Sequence, residues 1–396
     1  MSAVPTTTTD EAVAPNQHGL AEHSHGPGTA PVQTRSERFA STDPNEFPAV
    51  TGREAEWKLS PVERLRPLID GELDGSAYAV LYPEVEGVAV EWIGRDDARI
   101  GSAGTPEDKA SANAWAAFEH ALHISVTGEG EVLTVTRDSL GEAPRAAHVL
   151  IEAAAQSSGL IVLDSQGAAQ LSENVEIIVG DDAQLTVVSL QEWNDEAIHL
   201  SSQFARVGRN AKLKHIVVSL GGGVVRVNPS TALAEEGAEV ESLGVYFADA
   251  AQHLEQQVFV HHIAPHTVSR VTYKGALNGA GARTVWIGDV LIGRDATGTD
   301  SYEQNRNLVL SEGTRADSIP NLEIETGDIA GAGHASATGR FDDEHLFYLQ
   351  SRGITEKEAR RLVVLGFLVE VVQKIGEPTL EARLIEALEN ELEGAA

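Results

Sequence analysis

Gly180-Asp181-Asp182-Ala183-Gln184-Leu185 and Gly208-Arg209-Asn210-Ala211-Lys212-Leu213 are near copies of one six-residue phrase. Glu235-Glu236-Gly237-Ala238-Glu239-Val240 fits the same frame without its leading glycine, so the alanines recur after 28 and then 27 residues. Each copy places turn formers before a small residue and then a strand-like run. A period between about 20 and 50 residues is the mark of one supersecondary unit stacked on itself. Looser copies follow at Ala282 and Ala316. Around them lie short apolar runs at 160–163, 175–179, 185–190, 213–220, 240–247, 258–263, 268–273 and 284–292, with briefer ones at 307–310 and 322–324. The pattern predicts a mainly β chain with a β-solenoid over 157–340, in which the alanines face inward and each strand pairs with the turns above and below. A sandwich of short strands is the alternative for the same runs.

The segments on either side have a different rhythm. Residues 1–45 are rich in Thr, Pro, Ser, Gly and Ala and are expected to be a disordered tail, because so little apolar surface cannot offset the ordering entropy. His18, His23 and His25 lie in it, and they read as solvated rather than metal-binding. Residues 46–156 read as an N-terminal α/β domain. Ser60-Pro61-Val62-Glu63 has the form of a capping box with Pro at the first helical position, and Thr105-Pro106-Glu107-Asp108 opens a second helix. Strand-like runs occur at 77–83, 88–93, 124–126 and 132–135. Residues 341–396 form a C-terminal helical domain: Asp342 is placed to cap one helix, Arg352-Gly353 to end it, Thr355-Glu356-Lys357-Glu358 to open a second and Thr379 to cap a third.

Composition narrows the chemistry. The 396 residues include no cysteine, so disulfides, a thiolate nucleophile and thiolate metal ligands from this chain are excluded. The formal charge of −31, from 60 acidic and 29 basic residues, disfavours a phosphate backbone as partner. No apolar run approaches the ~20 residues of a membrane span. The first residues show no basic region followed by an apolar one, which points to a cytosolic protein. None of the seven lysines follows a glycine, so a P-loop is absent, and neither G-x-S-x-G nor H-E-x-x-H occurs. Gly221-Gly222-Gly223 follows a strand but opens no helix, and reads as a solenoid corner.

Two groups of histidines remain. His261 and His262 are adjacent and point to opposite faces of a strand, while His266 follows Pro265 in a turn. These favour structural or inter-chain hydrogen bonds over a shared metal. His334 sits among small residues, Gly331 to Gly339, which read as an open loop joining the β and helical parts. A domain hinge with an incidental histidine is one reading. The other makes His334 a metal ligand, with Glu323, Glu325 and Asp328 as supporting carboxylates. One imidazole with carboxylates makes a weak, hard-leaning iron site, and thiolates from a second subunit would turn it into a cluster site.

At 304–311, 316–324, His334, 341–344 and 346–354 the chain resembles the SufB/SufD family of iron–sulfur cluster assembly proteins, as does His262-Ile263-Ala264-Pro265-His266-Thr267-Val268-Ser269. Glu56-Trp57-Lys58-Leu59-Ser60-Pro61 resembles the signature of the SufD branch. The resemblance covers about 54–385. It implies a right-handed parallel β-helix between an N-terminal and a C-terminal helical region. It further implies a non-catalytic subunit that pairs with SufB through β-helix edges and docks the ATPase SufC on its C-terminal helices. Leu346, Phe347, Tyr348, Arg352 and Gly353 are the candidate docking residues. His334 falls on the histidine that family members place at the subunit interface as an iron or cluster ligand. The isolated chain is expected to bind no cofactor, the iron–sulfur cluster being held transiently at the interface of the complex. Some members carry a cysteine two residues before that histidine; here the position is Ala332. The lack of cysteine favours the SufD branch. The competing functions are a β-helix enzyme acting on polysaccharides and a stand-alone metal carrier using His261, His262, His266 and His334.

Overall fold

The structure is a computed structural model that describes residues 38–340 and 343–394. After a 3₁₀ turn at Pro44–Glu46 come α1 (Val62–Ile69), β1 (Val88–Gly94) and α2 (Lys109–Ala117). Strands then follow one another: β2 (His120–Val126), β3 (Glu131–Asp138), β4 (Pro144–Ala153), β5 (Ser158–Gly167), β6 (Gln170–Val179), β7 (Gln184–Trp193), β8 (Ile198–Val207), β9 (Lys212–Ser219), β10 (Val224–Leu233), β11 (Glu239–Ala248), β12 (His253–His262), β13 (Val268–Leu277), β14 (Arg283–Ile292), β15 (Thr299–Val309), β16 (Arg315–Ile324) and β17 (Ile329–Arg340). Three helices complete the chain: α3 (Asp343–Ser351), α4 (Glu356–Val372) and α5 (Pro378–Gly394).

Successive strands alternate between two sheets. One runs β1-β2-β4-β6-β8-β10-β12-β14-β16 and the other β17-β15-β13-β11-β9-β7-β5-β3. Every strand from β4 onward pairs in parallel with the strand two places before it; only β1 is antiparallel, to β2. This is a parallel β-solenoid of about 8 turns, with two strands per turn. The phrase that set the period lies at its corners. Ala183, Ala211 and Ala238 are each fully buried, as the stacked repeat requires. Beside them Asp182, Asn210 and Gly237 have φ of 58°, 50° and 72°, the left-handed region that turn-forming residues tolerate. Asp182 N–H donates to Arg209 O (2.8 Å) and Asn210 N–H to Glu236 O (3.1 Å), so each corner is tied to the next.

Both faces of each sheet are covered through most of its length. The lumen is filled by one cluster running from Leu122 to Ala296. The outer face of the even-numbered sheet is covered by Trp57, Leu65, Leu68, Trp115 and Phe118 packed on Leu150, Leu200 and Phe204. The outer face of the odd-numbered sheet carries α4 and α5, whose Val364, Leu368, Val372, Leu384 and Leu388 meet Val188, Ile216, Leu243 and Phe247. Double coverage explains the near-continuous apolar runs, which an exposed sheet face would break into alternation. Lys274, almost wholly buried, pins α4 down: its Nζ is 2.6 Å from Glu370 Oε2 and 4.7 Å from the Phe367 ring centre.

Two lumen tyrosines fit only because glycines face them. A Cβ on Gly275 would lie 1.8 Å from Tyr246 Cε2, and one on Gly244 would lie 2.0 Å from Tyr273 Cδ1. These rings are fully buried and cannot swing away. Gly275→Ala is therefore expected to lower the unfolding free energy by about 1–3 kcal/mol through overpacking. Denaturant titration checks this, and an unchanged midpoint would mean the rings have room that the packing denies.

The structure corrects several expectations. The parallel ladder begins at β2 and β3, inside the 46–156 stretch, so the runs at 124–126 and 132–135 are solenoid strands; strand alternation alone does not distinguish them from a separate mixed domain. Of the expected tail, residues 1–37, including His18, His23 and His25, lie outside the described residues. Residues 38–45 are placed against the fold, with Phe39 edge-on to Phe47 at 5.1 Å and Ser41 N–H donating to Pro106 O (3.0 Å). Ser60 does not cap α1; Pro61 is at the cap and the serine hydroxyl donates to Glu255. Asp108, not Thr105, caps α2 by accepting from Ser111 N–H. Thr355 does cap α4. Thr379 does not cap α5, since Glu377 takes the N–H groups of Thr379 and Leu380. Asp342, the expected cap of α3, lies outside the described residues.

Candidate functional site

The small residues around His334 form a strand, not a loop or hinge. They belong to β17, whose partner on one side is β15 and whose other side is open. β16 is likewise the last strand of its sheet. The solenoid thus ends in two edge strands, with Ile319 and Ile324 of β16 and Tyr302 of β15 exposed beside them. Free edge N–H and C=O groups next to exposed apolar side chains form a surface suited to strand pairing. Glycines at 331, 333 and 339 narrow β17 and let another backbone come close.

His334 is exposed on this last strand and is the register partner of Glu303. Register partners in adjacent parallel strands project on the same side. For Glu303 that side is the lumen: in β15, Thr299, Ser301, Glu303, Asn305 and Asn307 are buried while residues between them are not. The lumen here is polar. Asn305 Nδ2 donates to Tyr246 Oη (2.8 Å), Tyr246 Oη to Asn307 Oδ1 (2.7 Å) and Asn307 Nδ2 to Asn305 Oδ1 (2.7 Å), a closed ring of hydrogen bonds. Glu303 is outside that ring. It is 1% exposed, and neither carboxylate oxygen has a hydrogen-bond partner among the described residues. Burial, then the Asp289 carboxylate, pushes its pKa up to about 8. Trp286 Nε1 and Ser318 Oγ in the facing sheet are also buried without hydrogen-bond partners among the described residues.

The other histidines take separate places. His262 lies in the lumen, Nδ1 2.7 Å from Thr267 Oγ1 and Nε2 2.9 Å from Ser269 Oγ, with burial lowering its pKa to about 3. His261 is on the opposite face, stacked on Phe259, and His266 occupies a left-handed corner (φ 58°). Among the described residues no three His, Asp or Glu side chains converge to hold a metal. Glu323, Glu325 and Asp328 therefore do not complete a site around His334, and the four histidines of the carrier reading are not brought together.

The Glu56–Pro61 motif acts far from this end. The Arg226 guanidinium lies 4.1 Å from the Trp57 ring centre and is fully buried. It bonds Asp108 (3.0 Å), Glu255 (3.1 Å) and the Glu56 carbonyl (2.9 Å). Glu255 also accepts from Ser60, His253 and Gln257, and its pKa falls to about 2. This clamp locks the N-terminal segment to the solenoid. Nothing in local sequence marks Arg226 or Glu255, which meet the motif only across the fold.

At the other candidate surface, Leu346 is buried and anchors α3, whereas Phe347 and Tyr348 are 72% and 53% exposed. The exposed Arg352 stacks on Tyr348 at 4.6 Å, and Gly353 (φ 86°) ends the helix as its sequence predicts. These residues form an aromatic and basic knob, and a cleft of about 790 Å³ lined by Phe247, Leu310, Arg360, Val364 and Leu392 opens at the start of α4.

Fold and site together define a parallel β-solenoid protein with helices on both faces and one uncapped, polar-lumened end. The family model described as SUF system FeS cluster assembly, SufBD core domain, matches residues 135–367. The chain belongs to the SufB/SufD family. It is 46% identical over 374 residues to an iron–sulfur cluster assembly SufBD family protein of Mycobacterium bovis, covering 91% of this chain and 94% of the relative. It is 45% identical over 366 residues to one from Mycobacterium leprae, covering 89% and 93%. A second SufBD family protein of Mycobacterium bovis is 33% identical over 223 residues, covering 56% of this chain and 26% of that relative's length. No helix among the described residues is long and apolar enough to cross a membrane.

Proposed function

We propose that this chain is the SufD-type, non-catalytic subunit of a cytoplasmic iron–sulfur cluster assembly scaffold. It pairs its open solenoid end with a cysteine-bearing SufB-type homologue and carries the SufC ATPase on α3. The observation that carries this reading is the uncapped last turn: an edge strand of small residues bearing His334, in a chain with no thiolate of its own. Edge-to-edge docking would continue both sheets and place this imidazole beside the partner's ligands. Two distinct SufBD relatives in one Mycobacterium species favour a pair of unequal subunits. The exposed Phe347–Tyr348 knob supports a second partner, and the absence of a P-loop makes an ATPase its natural occupant.

Co-expression with a SufB-type and an ATPase subunit, followed by anaerobic purification with mass and iron analysis, tests this. A chain that stays alone overturns it. His334→Ala is expected to leave the complex intact and to reduce cluster content by at least about tenfold, in the range seen when metal-site residues are lost. Normal cluster yield removes the ligand role. Phe347→Ala with Tyr348→Ala is expected to release only the ATPase, with no change in unfolding midpoint because both rings are exposed.

A further inference from the structure

We propose that Glu303 is the second protein ligand at the open end of the solenoid, holding a divalent first-row transition cation jointly with His334. The inference rests on the ligand role proposed for His334 and adds to it a residue, a donor type and a position inside the lumen.

Glu303 is the register partner of His334, one strand in from the end. Adjacent strands lie about 4.8 Å apart, so a carboxylate and an imidazole projecting side by side can reach one ion at normal metal–ligand distances of about 2.1 Å. Neither oxygen of this buried carboxylate has a hydrogen-bond partner among the described residues. A buried acid is ordinarily paired or hydrogen-bonded, because an isolated one pays the full cost of leaving water. Every other carboxylate buried as deeply here follows that rule: Glu173 binds Arg137 and His199, Glu176 binds His148, and Glu255 binds Arg226 and His253. Room has also been left for it. A Cβ on Gly288 would lie 2.5 Å from Glu303 Oε2 and 2.3 Å from Trp286 Cη2, so the glycine is what admits the carboxylate to the lumen beside the indole. Oxygen and imidazole donors together suit ferrous-class ions better than soft ones. Two ligands leave most of the coordination sphere to the partner subunit or to water, so the isolated chain holds the ion weakly.

Cobalt(II), a spectroscopic stand-in for ferrous ion, is titrated into the full-length chain and followed by visible absorption and calorimetry. Glu303→Gln and His334→Ala are each expected to weaken the His334-dependent site by at least about tenfold, and the double variant to be no worse than the weaker single. Glu303→Asp, which keeps a carboxylate, should retain part of the binding. Thermal unfolding of each variant serves as the folding control, and Glu303→Gln should still co-purify with the partner subunits. Wild-type affinity in Glu303→Gln, or no cobalt binding by wild type beyond that of the double variant, overturns the assignment; the second result means that water fills the site. If binding behaves as expected but no complex forms, the family-based partner reading fails while this site stands.

Discussion

Replacing Arg226 by alanine is expected to lower the unfolding free energy by about 3–5 kcal/mol, the usual cost of breaking a buried ion pair by removing one partner. Two carboxylates, Asp108 and Glu255, would be left in the interior without their cation, and the Trp57 ring would lose the guanidinium packed on it. Urea titration should show a lower midpoint. Arg226→Lys keeps the charge but loses the planar fork and the stacking, so its loss should fall between wild type and alanine. A change below about 1 kcal/mol, less than even a single buried hydrogen bond to a charged group contributes, would show that the N-terminal segment is held by its apolar contacts alone.

The second large effect appears on acidification. His215 is buried in the lumen with Nε2 2.7 Å from Gln203 Oε1 and, among the described residues, no partner for Nδ1. Burial lowers its pKa from 6.5 to about 4. Because the folded pKa lies below the unfolded one, the stability tied to the neutral ring is fully present above pH 6.5 and is lost as pH falls toward 4. The slope is about 1.4 kcal/mol per pH unit, or roughly 3 kcal/mol across the window. His199 and His262 are shifted in the same direction, so the wild-type slope is steeper than one proton. Glu255, held to about 2, contributes only at the acid end. His215→Gln keeps a donor for Gln203 and cannot protonate. Its stability relative to wild type should therefore improve by about 3 kcal/mol between pH 7 and pH 4, measured by urea midpoints along the series. Parallel curves would show that the ring is already charged or reaches solvent.

The solenoid was readable because its corners repeat: turn residues and the buried Ala183, Ala211 and Ala238 recur where the geometry must recur. The start of the ladder was not, because β2 and β3 precede the first clean copy of the phrase and follow directly on a helix. The strand nature of β17 was hidden by its composition. Glycine and alanine signal a loop when read locally, and only pairing with β15 makes them an edge. His334 stands out by its small neighbours and the exposed α3 residues by resemblance to a family, while Glu303 has no mark in the sequence at all. Its peculiarity is a missing partner, a property of the packed lumen rather than of neighbouring residues. Arg226 and Glu255 are illegible for a related reason, since their contacts to Asp108, Glu56 and Ser60 span more than a hundred positions.

The turns of the solenoid are not all equally long. Asp182 and Asn210 sit one above the other 28 residues apart, whereas Ser269 and Ser301 do so at 32. Strands are nearly constant at ten residues, so the surplus is taken up at the bends. A foreign segment spliced into the 278–282 bend would hang outside both sheets and leave the ladder aligned, whereas a single residue inserted within β14 would turn its inward side chains outward. Such a graft offers a place to attach a fluorophore or an affinity handle without shifting the register of the ladder.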